Sequence, residues 1–239
     1  MATPTRLASA AALIAHPARA AMLQALMAGE ALTAGELART AGIAPSTASA
    51  HLAALAGGAL VVAHAQGRHR WFRLANDDVA AILESLMGLA ELARPARRWP
   101  HGEALRTART CWDHLAGRLG VALRQGLVER GMLRPALGGW EATAAGHAWL
   151  ERTGVDVAAA RRARRFACDC MDWSERRPHL GGGLARALCT LCLARGWLRR
   201  QPGEGLARRA VVPTPEGVRR LREAFGVRVE AAAGQAASD

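Results

Sequence analysis

Two short segments place thiol, imidazole and carboxylate side chains within a few residues of one another. One is Cys111-Trp112-Asp113-His114; the other runs Cys170-Met171-Asp172-Trp173-Ser174-Glu175-Arg176-Arg177-Pro178-His179. Both begin Cys-x-Asp, and both reach a His followed by Leu-x-Gly. Thiolate and imidazole are the donors that a soft metal ion or metalloid prefers. If the fold brings the segments together, Cys111, Asp113, His114, Cys170, Asp172 and His179 make a candidate effector or thiol site. The alternative is structural: Asp–His and Glu–Arg contacts would join two polar helix starts while a cysteine fills a small apolar gap. On residue types alone the structural alternative is the stronger.

Other chemistry is weaker. Cys168-x-Cys170 and Cys189-x-x-Cys192 supply four thiols, but the second pair falls inside the apolar stretch Leu184 to Leu193 with no turn to form a zinc knuckle. No βαβ pattern precedes it to suggest a redox pair. Catalysis has one candidate set, with Cys170 as nucleophile, His179 as base and Asp172 or Glu175 to orient it. Neither a Gly-rich phosphate loop, a nucleophile elbow nor a His-Glu-x-x-His pattern accompanies it, so the sequence reads as a non-enzyme. Trp112, Trp140, Trp149, Trp173 and Trp197 either line a pocket for a small organic effector or fill the core of two small units.

The elements that must position these residues carry an internal duplication. At a constant offset of 65, His114 matches His179, Leu115 matches Leu180, Gly117 matches Gly182, Leu119 matches Leu184, Leu123 matches Leu188 and Gly131 matches Gly196. After six extra residues in the second copy, Thr143 matches Thr214, Gly146 matches Gly217 and Leu150 matches Leu221. Cys192 falls opposite Leu127, which marks it as a core position. The pattern predicts a C-terminal region over 94–229 made of two repeats, about 103–155 and 162–227, with a disordered tail at 230–239. Each repeat reads as helix, Gly-bounded turn, short strand, loop, short strand or turn, and helix.

The N-terminal third, over 1–93, has a different organisation. Thr33 and Glu36 have the spacing of a capping box, so a helix starts after Thr33 and ends near Gly42. Pro45 opens a second helix, in which Ala48, Leu52 and Leu55 bury one face and leave Ser46, Thr47, Ser49, Ala50 and His51 outward near its start. That is the end a helix-turn-helix inserts into a major groove. Leu60 to Val62 and His69 to Leu74 then form two strands around Gly67, with Arg68, Arg70 and Arg73 along the return: a basic wing, unless the hairpin is only a charged sheet edge. Beyond it, Val79, Ile82, Leu83, Leu86, Leu89, Ala90 and Ala93 form an apolar helical stripe stopped by Pro95 and Pro100.

These residues resemble the ArsR type of bacterial winged-helix regulators over roughly 13 to 90. The resemblance rests on His16-Pro17-Ala18-Arg19, Glu36-Leu37-Ala38, Gly42-Ile43, Ser46 to Leu52 and Gly67 to Leu74. It implies a mainly α fold with small β-hairpins, an N-terminal winged helix-turn-helix followed here by the duplicated helix-plus-hairpin region. It also implies a homodimer that binds a pseudo-palindromic double-stranded operator, with Ser46, Thr47, Ser49, Ala50 and His51 reading bases and Arg68 and Arg70 on phosphate or minor groove. Repression released by an effector follows from the same resemblance, with an architectural DNA- or protein-binding module as the alternative. In that family the helix after the wing pairs with its copy, together with the N-terminal helix, which makes Val79, Ile82, Leu83, Leu86 and Leu89 the dimer face; packing on the C-terminal region is the alternative. Ala44 stands where the family caps its recognition helix with serine. The family's familiar metal ligands are also missing, since the first motif helix has Glu36-Leu37-Ala38-Arg39 and no histidine lies between Asn76 and Arg98.

Composition agrees with a polyanionic partner. The net charge is +12 and every basic side chain is Arg, with no Lys in the chain. Five cysteines, an odd number, fit a reducing cytoplasm, and no apolar run of spanning length or secretion signal core is expected.

Overall fold

In the computed structural model, which describes residues 5–66, 69–92 and 102–227, the chain divides into two compact units. One comprises residues 1–86 with 202–208, the other 87–201 with 209–239.

The first unit contains α1 (Arg6–Ala15), α2 (Pro17–Leu26), β1 (Leu32–Thr33), α3 (Ala34–Ala41), α4 (Pro45–Gly57), β2 (Val61–Gln66), β3 (His69–Leu74) and most of α5 (Asp77–Leu92). Local chemistry sets the helix ends. His16 Nδ1 accepts from the Ala18 amide at 3.2 Å, and Pro17 takes a first position that needs no amide hydrogen. The capping box forms as the spacing predicts: the Glu36 amide donates to Thr33 Oγ1 at 3.3 Å, and the Thr33 amide donates to Glu36 Oε2 at 2.8 Å. Helix α4 starts on Pro45 with no side-chain cap from Ala44. Helices α2, α3 and α4 pack on one another through buried Met22, Leu23, Leu26, Leu37, Ala48, Leu52 and Leu55.

The wing is the antiparallel pair β2–β3, with Val61 opposite Leu74 and Gln66 opposite His69. Gly67 and Arg68 lie outside the described residues, as do Ala93, Pro95 and Pro100. Leu32–Thr33, which the sequence suggests only as the approach to a helix, adds an edge strand to β3, with Leu32 opposite Phe72. Two residues are too few for a period-two pattern to register.

The capping box carries a pH signature. The Thr33 backbone amide favours the charged Glu36 carboxylate more than burial opposes it, and holds its pKa below the ordinary 4.5. Because the folded value is the lower one, the stabilisation is present above the ordinary value and is lost as pH falls through the depressed one. Glu36→Ala is therefore expected to cost about 1 kcal/mol at neutral pH, the usual worth of a cap, and less in acid. Urea denaturation at the two conditions measures this, and an equal cost at both would refute the assignment.

The second unit shows the duplication directly. Copy one runs α6 (Glu103–Thr107), β4 (Arg109–Cys111), β5 (His114–Ala116), α7 (Gly117–Glu129), β6 (Leu133–Ala136), β7 (Gly139–Ala142) and α8 (Ala144–Thr153). Copy two runs α9 (Val157–Arg161), β8 (Cys168–Met171), β9 (Pro178–Gly181), α10 (Gly183–Ala194), β10 (Leu198–Arg200), β11 (Val211–Pro213) and α11 (Pro215–Phe225). The extra residues of copy two fall between β10 and β11, where Gly205–Arg209 form a 3-10 turn.

Matched residues do matched work. Thr143 and Thr214 cap α8 and α11, each accepting at 3.0 Å from the amide of the glycine three residues on. Their hydroxyls donate to Gly131 O at 2.7 Å and Gly196 O at 2.8 Å. The capped glycines have no room for a side chain: a Cβ on Gly146 would stand 2.0 Å from Met132 O, and one on Gly217 would stand 1.8 Å from Trp197 O. Both helices thus lie directly on their hairpin backbones.

One correction concerns how each copy opens. The sequence predicts a helix start at the Cys-x-Asp segments, whereas the structure places a hairpin there, β4–β5 in copy one and β8–β9 in copy two. Strands of three or four residues leave little alternation to read. Helix α7 packs on β9 and α10 packs on β5, so each copy's helix rests on the other copy's hairpin. Leu119, Leu123, Leu127, Leu184, Leu188 and Cys192 share the resulting core. Burial raises the Cys189 and Cys192 thiols to about 12, which makes both inert apolar fillers. Among the described residues, no helix is long and apolar enough to cross a membrane.

Candidate DNA-binding face and four-ligand cluster

At its N-terminal end α4 exposes Ser46, Thr47, Ser49 and Ala50 while Ala48 is buried beneath them. Ser49 Oγ donates back to Pro45 O at 3.0 Å, a bond that costs little to exchange for a base or phosphate. His51 is half-buried against His16, with ring centroids 4.3 Å apart. Burial, His16 and Arg19 push its pKa down, which favours the neutral ring. On the wing, Arg70 and Arg73 are exposed, and Arg73 Nε donates to His64 Nε2 across the hairpin at 3.2 Å.

The apolar stripe of α5 is split. Val79 and Leu83 are buried within the chain, whereas Ile82, Leu86 and Leu89 are 54%, 41% and 62% exposed on a single face. Helix α1 buries none of its residues.

In the second unit, hairpin register explains why two distant Cys-His pairs meet. Cys111 stands directly opposite His114, and Cys170 directly opposite His179. Residues opposite each other across an antiparallel pair point to the same face, so each hairpin offers one thiol and one imidazole side by side. The two hairpins bring the four together: one donor atom from each of Cys111, His114, Cys170 and His179 lies within 4.8 Å of all the others. Cys111 Sγ is 3.8 Å from Cys170 Sγ, and His114 Nε2 is 3.2 Å from His179 Nε2. Cys111, His114 and His179 are buried and Cys170 half-buried.

Each imidazole is held from behind by a carboxylate. His114 Nδ1 lies 3.0 Å from Asp113 Oδ1, and His179 Nδ1 lies 3.4 Å from Asp172 Oδ2. Asp113 is also paired with the Arg186 guanidinium. Asp172 is wholly enclosed and accepts from Arg109 Nη2 at 3.0 Å, the Gly117 amide at 2.6 Å, Ser174 Oγ at 2.7 Å and the amides of Ser174 and Glu175 at 2.9 and 3.0 Å. Burial opposes its charge, but the His179 bond and Arg109 outweigh it and hold the carboxyl far below the usual range. Burial likewise opposes charge on His114, yet Cys111 and Asp113 raise it to about 10; His179 is also raised, chiefly by Asp172 and Cys111 against burial.

The helix-turn-helix domain family matches residues 14–63. An HTH-type transcriptional regulator of Bacillus subtilis (strain 168), YdfF, is 39% identical over 199 residues, spanning 82% of this chain and 88% of its own.

The chain belongs to the helix-turn-helix transcriptional regulators.

Solved structures similar to this regulator include the crystal structure of a fragment of a possible transcriptional regulatory protein from Mycobacterium bovis, at 30% identity and a TM-score of 0.33 over 36% of this chain and 90% of that one. The solution structure of a homodimeric winged helix-turn-helix DNA-binding domain from the same organism, described as a possible ArsR-family regulator, is 27% identical with a TM-score of 0.35, covering 41% of this chain and all of that one.

Of the six candidate effector residues, four converge as donors and the two aspartates stand behind the rings. Sequence reasoning misses Arg109, which is fully buried and lies over the Trp173 ring at 4.3 Å. Its only signal is a strand too short to notice. Trp140 Nε1 donates to Asp169 at 2.7 Å beside Arg124, and Trp149 meets Phe225 edge-on.

Proposed function

We propose that this DNA-binding transcriptional regulator is a repressor of the ArsR type that binds a pseudo-palindromic operator as a homodimer and is released by an effector held in its second unit. The observation that carries the DNA reading is the pairing of an exposed, polar α4 N-terminus with an arginine-bearing hairpin. Ser46, Thr47, Ser49 and Ala50 meet base edges and flanking phosphate, and Arg68 and Arg70 contact phosphate or the adjacent minor groove. The exposed row Ile82, Leu86 and Leu89, with the unburied α1, supports the dimer face. His51 belongs to the DNA-binding face, at its edge beside His16.

The test is a salt titration of operator binding for Arg68→Ala, Arg70→Ala and Ser46→Ala/Thr47→Ala. Removing one arginine–phosphate pairing should flatten the log–log salt slope by about 0.9 for each subunit bound. The α4 double variant should instead lower discrimination between specific and nonspecific DNA, by about 1–3 kcal/mol for each base edge no longer read. Wing variants that keep both affinity and slope would overturn the assignment. The role is not catalytic on this reading. Cys170, His179 and Asp172 do line up as nucleophile, base and orienting group, but His179 and Asp172 are fully enclosed; a turnover abolished by Cys170→Ala would reverse that conclusion.

A further inference from the structure

The geometry points to a tetrahedral zinc site formed by Cys111, His114, Cys170 and His179, one Cys-His pair from each repeat. The site lies in the second unit, to which the proposed function assigns the effector, and it stands or falls independently of DNA binding.

Bond lengths decide the fit. Zinc binds thiolate at about 2.3 Å and imidazole at about 2.0–2.1 Å, so in a tetrahedron two sulfurs stand about 3.8 Å apart and two nitrogens about 3.3–3.4 Å apart. The observed Sγ–Sγ separation is 3.8 Å and the Nε2–Nε2 separation 3.2 Å. Four protein donors, mostly buried, make a closed coordination sphere of the structural kind, with no position left for water or substrate.

Orientation of the rings supports the same conclusion. The Asp113 carboxylate behind His114 Nδ1 can only accept, which favours a hydrogen on that nitrogen and leaves Nε2 to ligate, and Asp172 stands 3.4 Å behind His179 Nδ1. At 3.2 Å the two Nε2 atoms are satisfied either by a shared proton or by a metal ion between them. Carboxylate–imidazole–metal relays of this form are the usual outer shell of zinc histidines. Charge also balances: two thiolates neutralise the divalent ion, while Asp113 and Asp172 are each met by an arginine, Arg186 and Arg109. A buried neutral assembly avoids the cost of an uncompensated charge. Gly181 leaves the space open, since a Cβ there would stand 3.3 Å from Cys170 Cβ and 3.6 Å from His114 Nε2. Mixed sulfur–nitrogen donors in this geometry favour zinc over the harder cations.

The full-length chain, expressed in zinc-supplemented medium and purified without chelator, is expected to carry about one zinc per chain by elemental analysis and native mass spectrometry. After chelation, titration with cobalt(II) should give the intense visible bands of a tetrahedral ion together with thiolate-to-cobalt charge transfer, both displaced by zinc. Cys111→Ser and Cys170→Ser should lose the metal and the charge-transfer band, whereas Cys168→Ser should keep both. Should the ligand variants fail to fold, the cobalt spectrum and stoichiometry of the wild-type chain decide alone. A pale octahedral spectrum, metal retained by both ligand variants, or a metal-free chain with Cys111 joined to Cys170 in a disulfide would each overturn the inference. Loss of operator binding would leave it untouched.

Discussion

Asp172→Ala is expected to be the most destabilising single substitution in the second unit, at about 3–5 kcal/mol. The carboxylate is wholly enclosed and partners Arg109, itself fully buried, so its removal strands a guanidinium with no route to water. It also releases the Gly117 amide, which joins the start of α7 in copy one to the β8–β9 turn of copy two. Urea denaturation of the full chain should show the loss as a lowered midpoint for the second unit's transition. The double variant Arg109→Met/Asp172→Leu separates the causes: removing both charges should recover much of the loss, because an apolar pair of similar volume can replace a buried ion pair. A single variant within about 1 kcal/mol of wild type would mean that the pair contributes no more than a surface ion pair does.

The second large effect is expected at α5. Ile82→Arg/Leu89→Arg places two charges on the exposed apolar row while leaving buried Val79 and Leu83 in place, so each chain should stay folded. Sedimentation should give a monomer, and operator affinity should fall by on the order of 100-fold or more, the usual penalty when two linked half-sites are bound independently. A dimer surviving the double substitution would remove α5 from the interface. Leu83 is the wrong probe despite its place in the sequence stripe, since arginine there would enter the core.

Much of the first unit is legible from residue types because its signals are local. The Thr33–Glu36 box and Pro45 each act within a single turn, and the α4 stripe spans a helix long enough for its period to show. The ring contact of His51 escapes such a reading because its partner His16 lies far back in the chain, where a helical period gives no hint of ring packing. In the second unit the duplication is legible from the 65-residue offset, which correctly puts Cys192 in the core. The hairpins are not, because β4 and β5 have three residues each. Those short strands hide the feature that matters most: Cys111 and His114 are three apart in sequence but directly opposed in space, and so are Cys170 and His179, which are nine apart.

The unequal turns also make the two halves of the cluster unequal. Behind His179 stands Asp172, sealed with Arg109; behind His114 stands Asp113, whose side chain is 26% exposed and whose partner Arg186 is 46% exposed. Local opening follows the least enclosed contacts. The carboxylate–arginine pair behind His114 should therefore open before the one behind His179, so the symmetric arrangement of donors has one exposed and one sealed backing.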